Sequence, residues 1–431
     1  MERLLHYTWK HKMLPLRELT TTDGREVEII DPGLQNHNAG PDFFNAKVRI
    51  GGTLWVGNVE IHERASDWFR HGHETNPRYD NVILHVVEKD DAPVTRINGE
   101  LIPQVELHVS PRFNEYYDRL VNAQVELPCA TRLGEVPSLT VTEWIEALAM
   151  ERLHSKVDRV REYYDRYNGS WEDICYVSLA RALGFGINGD AMERLARITP
   201  LRLLHKHSDS LLQVEALLFG QSGLLNGAHS DEPYCQQLMR EYAFLANKFS
   251  LRPIEGTAWR LFRSRPQNFP YRRIALLAQF VYGGFNLMND IIGAAGDARQ
   301  LRRLFDIELS GYWMTHYSFG KPSPGAGRAL SDGSIDIVLI NTVAPLYYAR
   351  GEMTDDYRMT DSAIALLEEL RPERNSIVKM FENAGIRCGD ALTSQALIQL
   401  RRNYCEARKC IYCRLGHRLL ATDARRQNDP H

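Results

Sequence analysis

The chain holds 431 residues, about three times a typical domain length, so more than one packed unit is expected. A hydrophobic fraction of 44% and a charged fraction of 25% are those of an ordinary globular protein, which excludes a disordered, collagen-like or disulfide-scaffold chain. Lys+Arg 52 against Asp+Glu 55 leave a net charge of -3, so any nucleic-acid role must come from local patches.

Before residue 125 the chain is rich in short β patterns. Residues 2–13 have apolar positions at Leu4, Leu5 and Trp9 and fit a helix. Residues 25–30 alternate as a strand behind the turn Asp23-Gly24. Residues 43–50 and 53–62 are two strands around Gly51-Gly52, a hairpin signal. A helical segment is expected near 66–71. Residues 81–87 form an apolar run suited to a strand buried on both faces. A second hairpin is expected from 93–97 and 101–109, turning at Asn98-Gly99.

After Pro137 the pattern turns helical. Stretches 144–167, 173–184, 190–205, 210–219, 232–249, 255–264, 271–283, 297–307, 360–370, 374–384 and 390–404 have helical spacing. Residues 318–336 read as a loop, and no fixed-period repeat is present. The expected division is an α/β domain over 1–125 and an all-α domain over 136–431. The start of the chain carries charges throughout, and no uncharged apolar run approaches the ~20 residues of a membrane helix. A cytoplasmic protein is expected.

The stretch 40–68 carries the chemistry. Asp42 opens one strand; Glu60 and His62 end the next and share a face by the period-2 rule. The hairpin allows Asp42 and Glu60 to converge, and two carboxylates with the Ile61 carbonyl are hard ligands suited to Mg²⁺. Here the chain resembles the PD-(D/E)XK nuclease superfamily, whose core runs helix, strand, strand, strand, helix, strand. Pro41-Asp42 corresponds to the first half of its motif, and Glu60-Ile61-His62 to the second. The resemblance implies a mixed sheet with flanking helices, Mg²⁺ held by Asp42 and Glu60, and hydrolysis of DNA. His62 stands where the family has lysine; neutral it could act as a base, protonated it could balance developing charge, and the replacement is equally compatible with lost cleavage. Glu2, on the first helix, is an additional acid candidate.

The chain also resembles an uncharacterised bacterial family of unknown function over nearly its whole length, through DPGLQNHNAGPDFFNAKVRI, GTLWVGNVEIHERASDW, YDNVILHVV, SQALIQLRRNYC and KCIYCRLG. That kinship implies no activity.

Two further clusters are metal candidates. His62, His71, His73 and His85 lie close in sequence, with His37 nearby, and a zinc hydrolase would use three such ligands. His85 sits in an apolar strand and reads as a hydrogen-bonded core residue. Cys405, Cys410 and Cys413 form C-x4-C-x2-C, with Cys388 or His417 as the fourth ligand of a structural zinc; a 4Fe-4S cluster is the alternative by analogy with some nucleases, and inward-packed free thiols the bland one.

Residues 251–273 hold six Arg and one Glu interleaved with aromatics. Arg260, Arg263, Arg265, Arg272 and Arg273 are therefore the candidate nucleic-acid contacts, against the plainer reading of a solvated face with core aromatics. A second basic stretch runs from 388 to 431. Glu255-Gly256-Thr257 and the 323–328 loop lack the features of a phosphate-binding loop. The leading expectation is a metal-dependent nuclease. A non-catalytic nucleic-acid-binding or scaffold protein with a decayed nuclease core is the alternative, and a zinc hydrolase of small substrates the third.

Overall fold

The structure is a computed structural model and describes residues 2–12, 19–36, 38–109, 111–226, 231–254, 259–261, 268–294, 296–323 and 329–425. It divides into two compact units, one of Met1–Val141 with Arg402–His431, the other of Thr142–Arg401. The last thirty residues thus belong to the first unit, whereas the sequence pattern assigned them to the helical domain.

The first unit is built on a mixed sheet. α1 (Glu2–His11) is amphipathic and buries Leu4, Leu5, Tyr7 and Trp9. β1 (Val27–Asp31) pairs antiparallel with β3 (Phe43–Ile50), which also takes the short β2 (Leu34–Gln35). β3 pairs antiparallel with β4 (Thr53–Arg64) through Gly51-Gly52, both at positive φ as the tight reversal demands. α2 (Asp67–Arg70) and two short 3-10 turns then carry the chain over to β5 (Val82–Lys89), which lies parallel to β4. β6 (Gln104–Glu106) is parallel to β5, so the order is β1-β3-β4-β5-β6.

Hydrophobic patterning explains this arrangement. β3 alternates buried and exposed residues, as a strand with one covered face should. β5 is buried over its first six residues, as a strand covered on both faces requires. One apolar layer joins Leu5 and Trp9 of α1 to Val48, Ile61 and Val86; the other joins Trp68 and Tyr79 of the crossover to Val82 and Val87. The expected second hairpin is reduced to its tip: Thr95 bridges Leu101, while 104–106 leaves to join β5.

The second unit is helical. α4 (Ser138–Arg166) crosses into it, after α3 (Pro111–Asn122) of the first unit. Helices follow at Trp171–Leu183, Gly189–Ile198, Leu211–Gln221, Pro233–Phe249, Pro270–Val281 and Ala298–Phe305, close to the expected stretches. Tyr357–Glu369, Ser376–Asn383 and Ala391–Gln399 complete them, the last passing into a π-helical turn, Leu400–Cys405. An apolar core runs through this unit from Leu153 to Ala391. The sequence pattern missed the helix Asp332–Val338, which continues through a π-helical turn at Leu339–Val343 into Ala344–Thr354. Of the expected helix 255–264, only 259–261 is described, and those three residues are not helical. Among the described residues no helix is long and apolar enough to cross a membrane.

Candidate metal centre

The motif residues meet where the β3–β4 ladder ends. Phe43, the first residue of β3, stands opposite Val59 beyond a bulge in the ladder. One step beyond it, side chains take over the pairing. The Asp42 N–H donates to Glu60 Oε2 at 3.0 Å, and the Ile61 N–H donates to Asp42 Oδ2 at 2.9 Å. Glu60 and His62 are buried, and Ile61 points into the opposite apolar layer. The sequence reading of Asp42 and Glu60 as neighbours at one end of a hairpin therefore matches the geometry.

Helix α1 adds a group the sequence did not single out. His6 Nε2 lies 3.3 Å from Asp42 Oδ2 and 3.9 Å from Glu2 Oε1. Burial opposes the charge on His6, but the hydrogen bond and charge of Asp42, with Glu2 and Glu60 behind, raise its pKa. The signal for His6 was only the i,i+4 spacing from Glu2, one turn along the helix.

Glu60 is electrostatically frustrated. Burial first, and the charge of Asp42 second, push its carboxyl up to about 9. Its ion-pair neighbours among the described residues are histidines: Oε1 lies 3.5 Å from His62 Nε2 and 3.3 Å from His73 Nε2.

The histidines converge as well. His62 Nδ1 is 2.9 Å from His85 Nε2, and His62 Nε2 is 3.2 Å from His71 Nδ1. His62, His71 and His73 offer one donor atom each, all within 4.8 Å of one another; among the described residues this is the one such group of three His, Cys, Asp or Glu. Local structure places them. α2 stops at His71, and Gly72 adopts φ +71, a left-handed turn that a side chain would oppose. The reversal brings His71 and His73 to the same side, where His73 stacks on Tyr79 at 3.7 Å. His62 and His73 are buried and His71 is exposed. Burial, then the neighbouring His73 and His71, lower the His62 pKa to about 3, so His62 is neutral at physiological pH. His85 is buried in β5 with His62 as its partner, the core role the sequence suggested. His37 lies outside the described residues.

Cys388 belongs to the second unit, and Cys405, Cys410 and Cys413 to the first. Cys129, which sequence left as a scattered thiol, packs with Cys410 against Leu4, Tyr7, Leu120, Ile411 and Leu420. Burial, then the nearby Cys413 and Cys410, raise the Cys129 thiol to about 12. His417 is engaged elsewhere, its Nδ1 lying 2.6 Å from the Tyr7 hydroxyl.

The arginine surface needs correction. Arg272 and Arg273 are buried, not exposed. Arg272 donates to the carbonyls of Trp313 and His316; Arg273 donates to Ala329 O and Asn268 Oδ1. Both guanidiniums are committed to the helical core and present nothing to a phosphate. Arg260 is exposed, with its backbone bonded to the Asn188 side chain. Arg263 and Arg265 lie outside the described residues.

Fold and site together define an α+β unit with a carboxylate–histidine cluster, attached to a helical unit. The chain belongs to the family described as protein of unknown function DUF2851, whose model matches residues 2–376. No curated protein and no solved structure matches it.

Proposed function

We propose that the protein is a metal-dependent hydrolase that cleaves phosphodiester bonds, with DNA as its substrate. The observation that carries this reading is the mutual hydrogen bonding of Asp42 with Glu60 and Ile61. These are the two halves of the motif by which the chain resembles the PD-(D/E)XK nucleases. The element order α1, β1, β3, β4, α2, β5, with a parallel β4–β5 crossover, supports it further.

The residues fit a cation. Two carboxylates are held together with histidines as their neighbours, and the raised Glu60 pKa is the cost of its burial first and of that like-charge pair second. A divalent ion such as Mg²⁺ at Asp42 and Glu60 would offset the cost, polarise the phosphodiester and make bound water more acidic. The chain's own groups divide the remaining work. His6 orients the Asp42 carboxylate through Oδ2. Neutral His62 cannot supply the positive charge of the family's lysine; it is a proton acceptor or a ligand.

The test is relaxation of supercoiled plasmid by purified full-length protein with Mg²⁺ or Mn²⁺. Asp42→Asn and Glu60→Gln should each slow cutting by roughly 10² or more, the scale on which loss of one charge-stabilising group acts. Retained cutting in both variants overturns the assignment. Salt-sensitive DNA binding without cutting would instead support the decayed-nuclease reading.

A further inference from the structure

We propose that His62, His71 and His73 form a three-imidazole site for a borderline transition ion, zinc foremost, beside the Asp42–Glu60 carboxylate pair. The site adjoins that of the proposed function and goes beyond it, adding an imidazole-bound ion next to the carboxylate pair.

The argument is geometric. A tetrahedral ion with bonds of about 2.0–2.1 Å sets its donor atoms about 3.3 Å apart. His71 Nδ1 and His62 Nε2 have that separation, at 3.2 Å, while Glu60 Oε1 sits beside the group, 3.5 Å from His62 Nε2 and 3.3 Å from His73 Nε2. The three histidines offer one donor atom each, all within 4.8 Å of one another, close enough for small side-chain adjustments to bring them onto one ion.

The surroundings suit ligation. A histidine ligand usually has its other ring nitrogen fixed by a partner, and His62 Nδ1 meets His85 Nε2 at 2.9 Å. That contact leaves His62 Nε2 to face the cluster, with His85 as the positioning residue. Glu60 uses its two oxygens on two sides: Oε2 accepts from Asp42, while Oε1 faces the histidines. His62 and His73 are buried and His71 is exposed, so the site has an entry path from solvent. Imidazole donors favour zinc, copper, nickel or iron over Mg²⁺, which prefers oxygen.

The experiment reads binding, not cleavage. Chelator-stripped full-length protein is titrated with Co²⁺ as a spectroscopic probe and with Zn²⁺ in competition, and bound metal is measured per chain. Visible cobalt bands without the intense thiolate charge-transfer absorption separate this site from any cysteine site. His71→Ala, at an exposed position, and His73→Ala should each remove these bands or weaken binding at least about tenfold; His85→Gln should weaken it by about 10- to 100-fold. A large molar excess of Mg²⁺ should leave bound Zn²⁺ in place. Unchanged cobalt binding in both ligand variants, or displacement of Zn²⁺ by equimolar Mg²⁺, overturns the proposal. Zinc binding without plasmid cutting would defeat the nuclease reading and keep this site. Mg²⁺-dependent cutting that survives His71→Ala, with no cobalt bands, would do the reverse.

Discussion

Glu60 shows how one residue couples the site to the stability of the fold. Its carboxyl titrates from 4.5 in an ordinary environment up to about 9 here, because of burial first and Asp42 second. The folded chain therefore binds the extra proton between those values. The stability this contributes is complete below 4.5 and is lost as pH rises through 9. His62 has the opposite sign: lowered to about 3, it contributes stability present above 6.5 and lost as pH falls through 3. In chelator, Glu60→Gln should melt higher than the parent at pH 8, by a few degrees or more, and the gap should close toward pH 4. A divalent ion should close the same gap at pH 8 by stabilising only the parent. Equal melting at every pH would show that Glu60 is not strained. At this scale the sequence was partly legible. Asp42 and Glu60 were readable because a hairpin fixes which strand ends meet. His71 and His73 were near enough in sequence to suspect, but their approach to His62 depends on the left-handed turn at Gly72. His6 was hidden, since a histidine on an apolar helix face carries no pattern of its own.

The element that organises the site is β4. Its first half, paired with β3, is largely exposed, while Asn58 to His62, in the half paired with β5, are buried. The change occurs at a register shift between Asn58 and Val59, where Asn58 Nδ2 donates to Asn81 Oδ1 at 2.7 Å. Gly57 stands at the point of closest approach: a Cβ there would strike Ile83 and come within 2.9 Å of the Asn81 carbonyl oxygen. Gly57→Ala should cost about 1–3 kcal/mol as overpacking, read as a lower denaturation midpoint, and should perturb ion binding three residues away at Glu60. Parent-like stability with parent-like binding would show that the strands have room to part. The local elements were legible from alternation in 43–50 and the apolar run of 81–87. The parallel pairing of β4 and β5 was not, because it joins strands that local spacing does not relate. The helix from 332 was hidden by its loop-like start and Pro345. Ser331 caps that start by accepting from the Ser334 N–H, and the π-helical turn at 339–343 precedes the proline, which opens the next helical segment.

At the scale of the whole molecule, the informative feature is that the first unit is discontinuous in sequence. Residues from 402 return to it after the helical unit has been completed. Composition could not reveal this, because the C-terminal helix Arg414–Arg425 looks like one more helix in a helical region. Packing reveals it: Ile411 and Leu420 are buried with Leu4 and Tyr7 of α1 and Leu120 of α3. The Tyr7–His417 contact ties the same two segments through polar groups. α1 also delivers His6 to Asp42, so the closing segment supports the helix that furnishes part of the metal centre. Removing residues 402–431 should therefore expose the outer face of α1 and destabilise the first unit. Leu420→Ala is the milder form of the same experiment; a fully buried leucine truncated to alanine costs about 2–5 kcal/mol. Calorimetry of Leu420→Ala should show the first unit melting at lower temperature, with the transition of the helical unit little changed. Hydrogen exchange should show faster opening of α1 in particular, since its apolar contacts are the ones lost. If α1 exchanges as slowly in the variant as in the parent, the C-terminal segment does not support that helix, and the closing segment has no bearing on the position of His6.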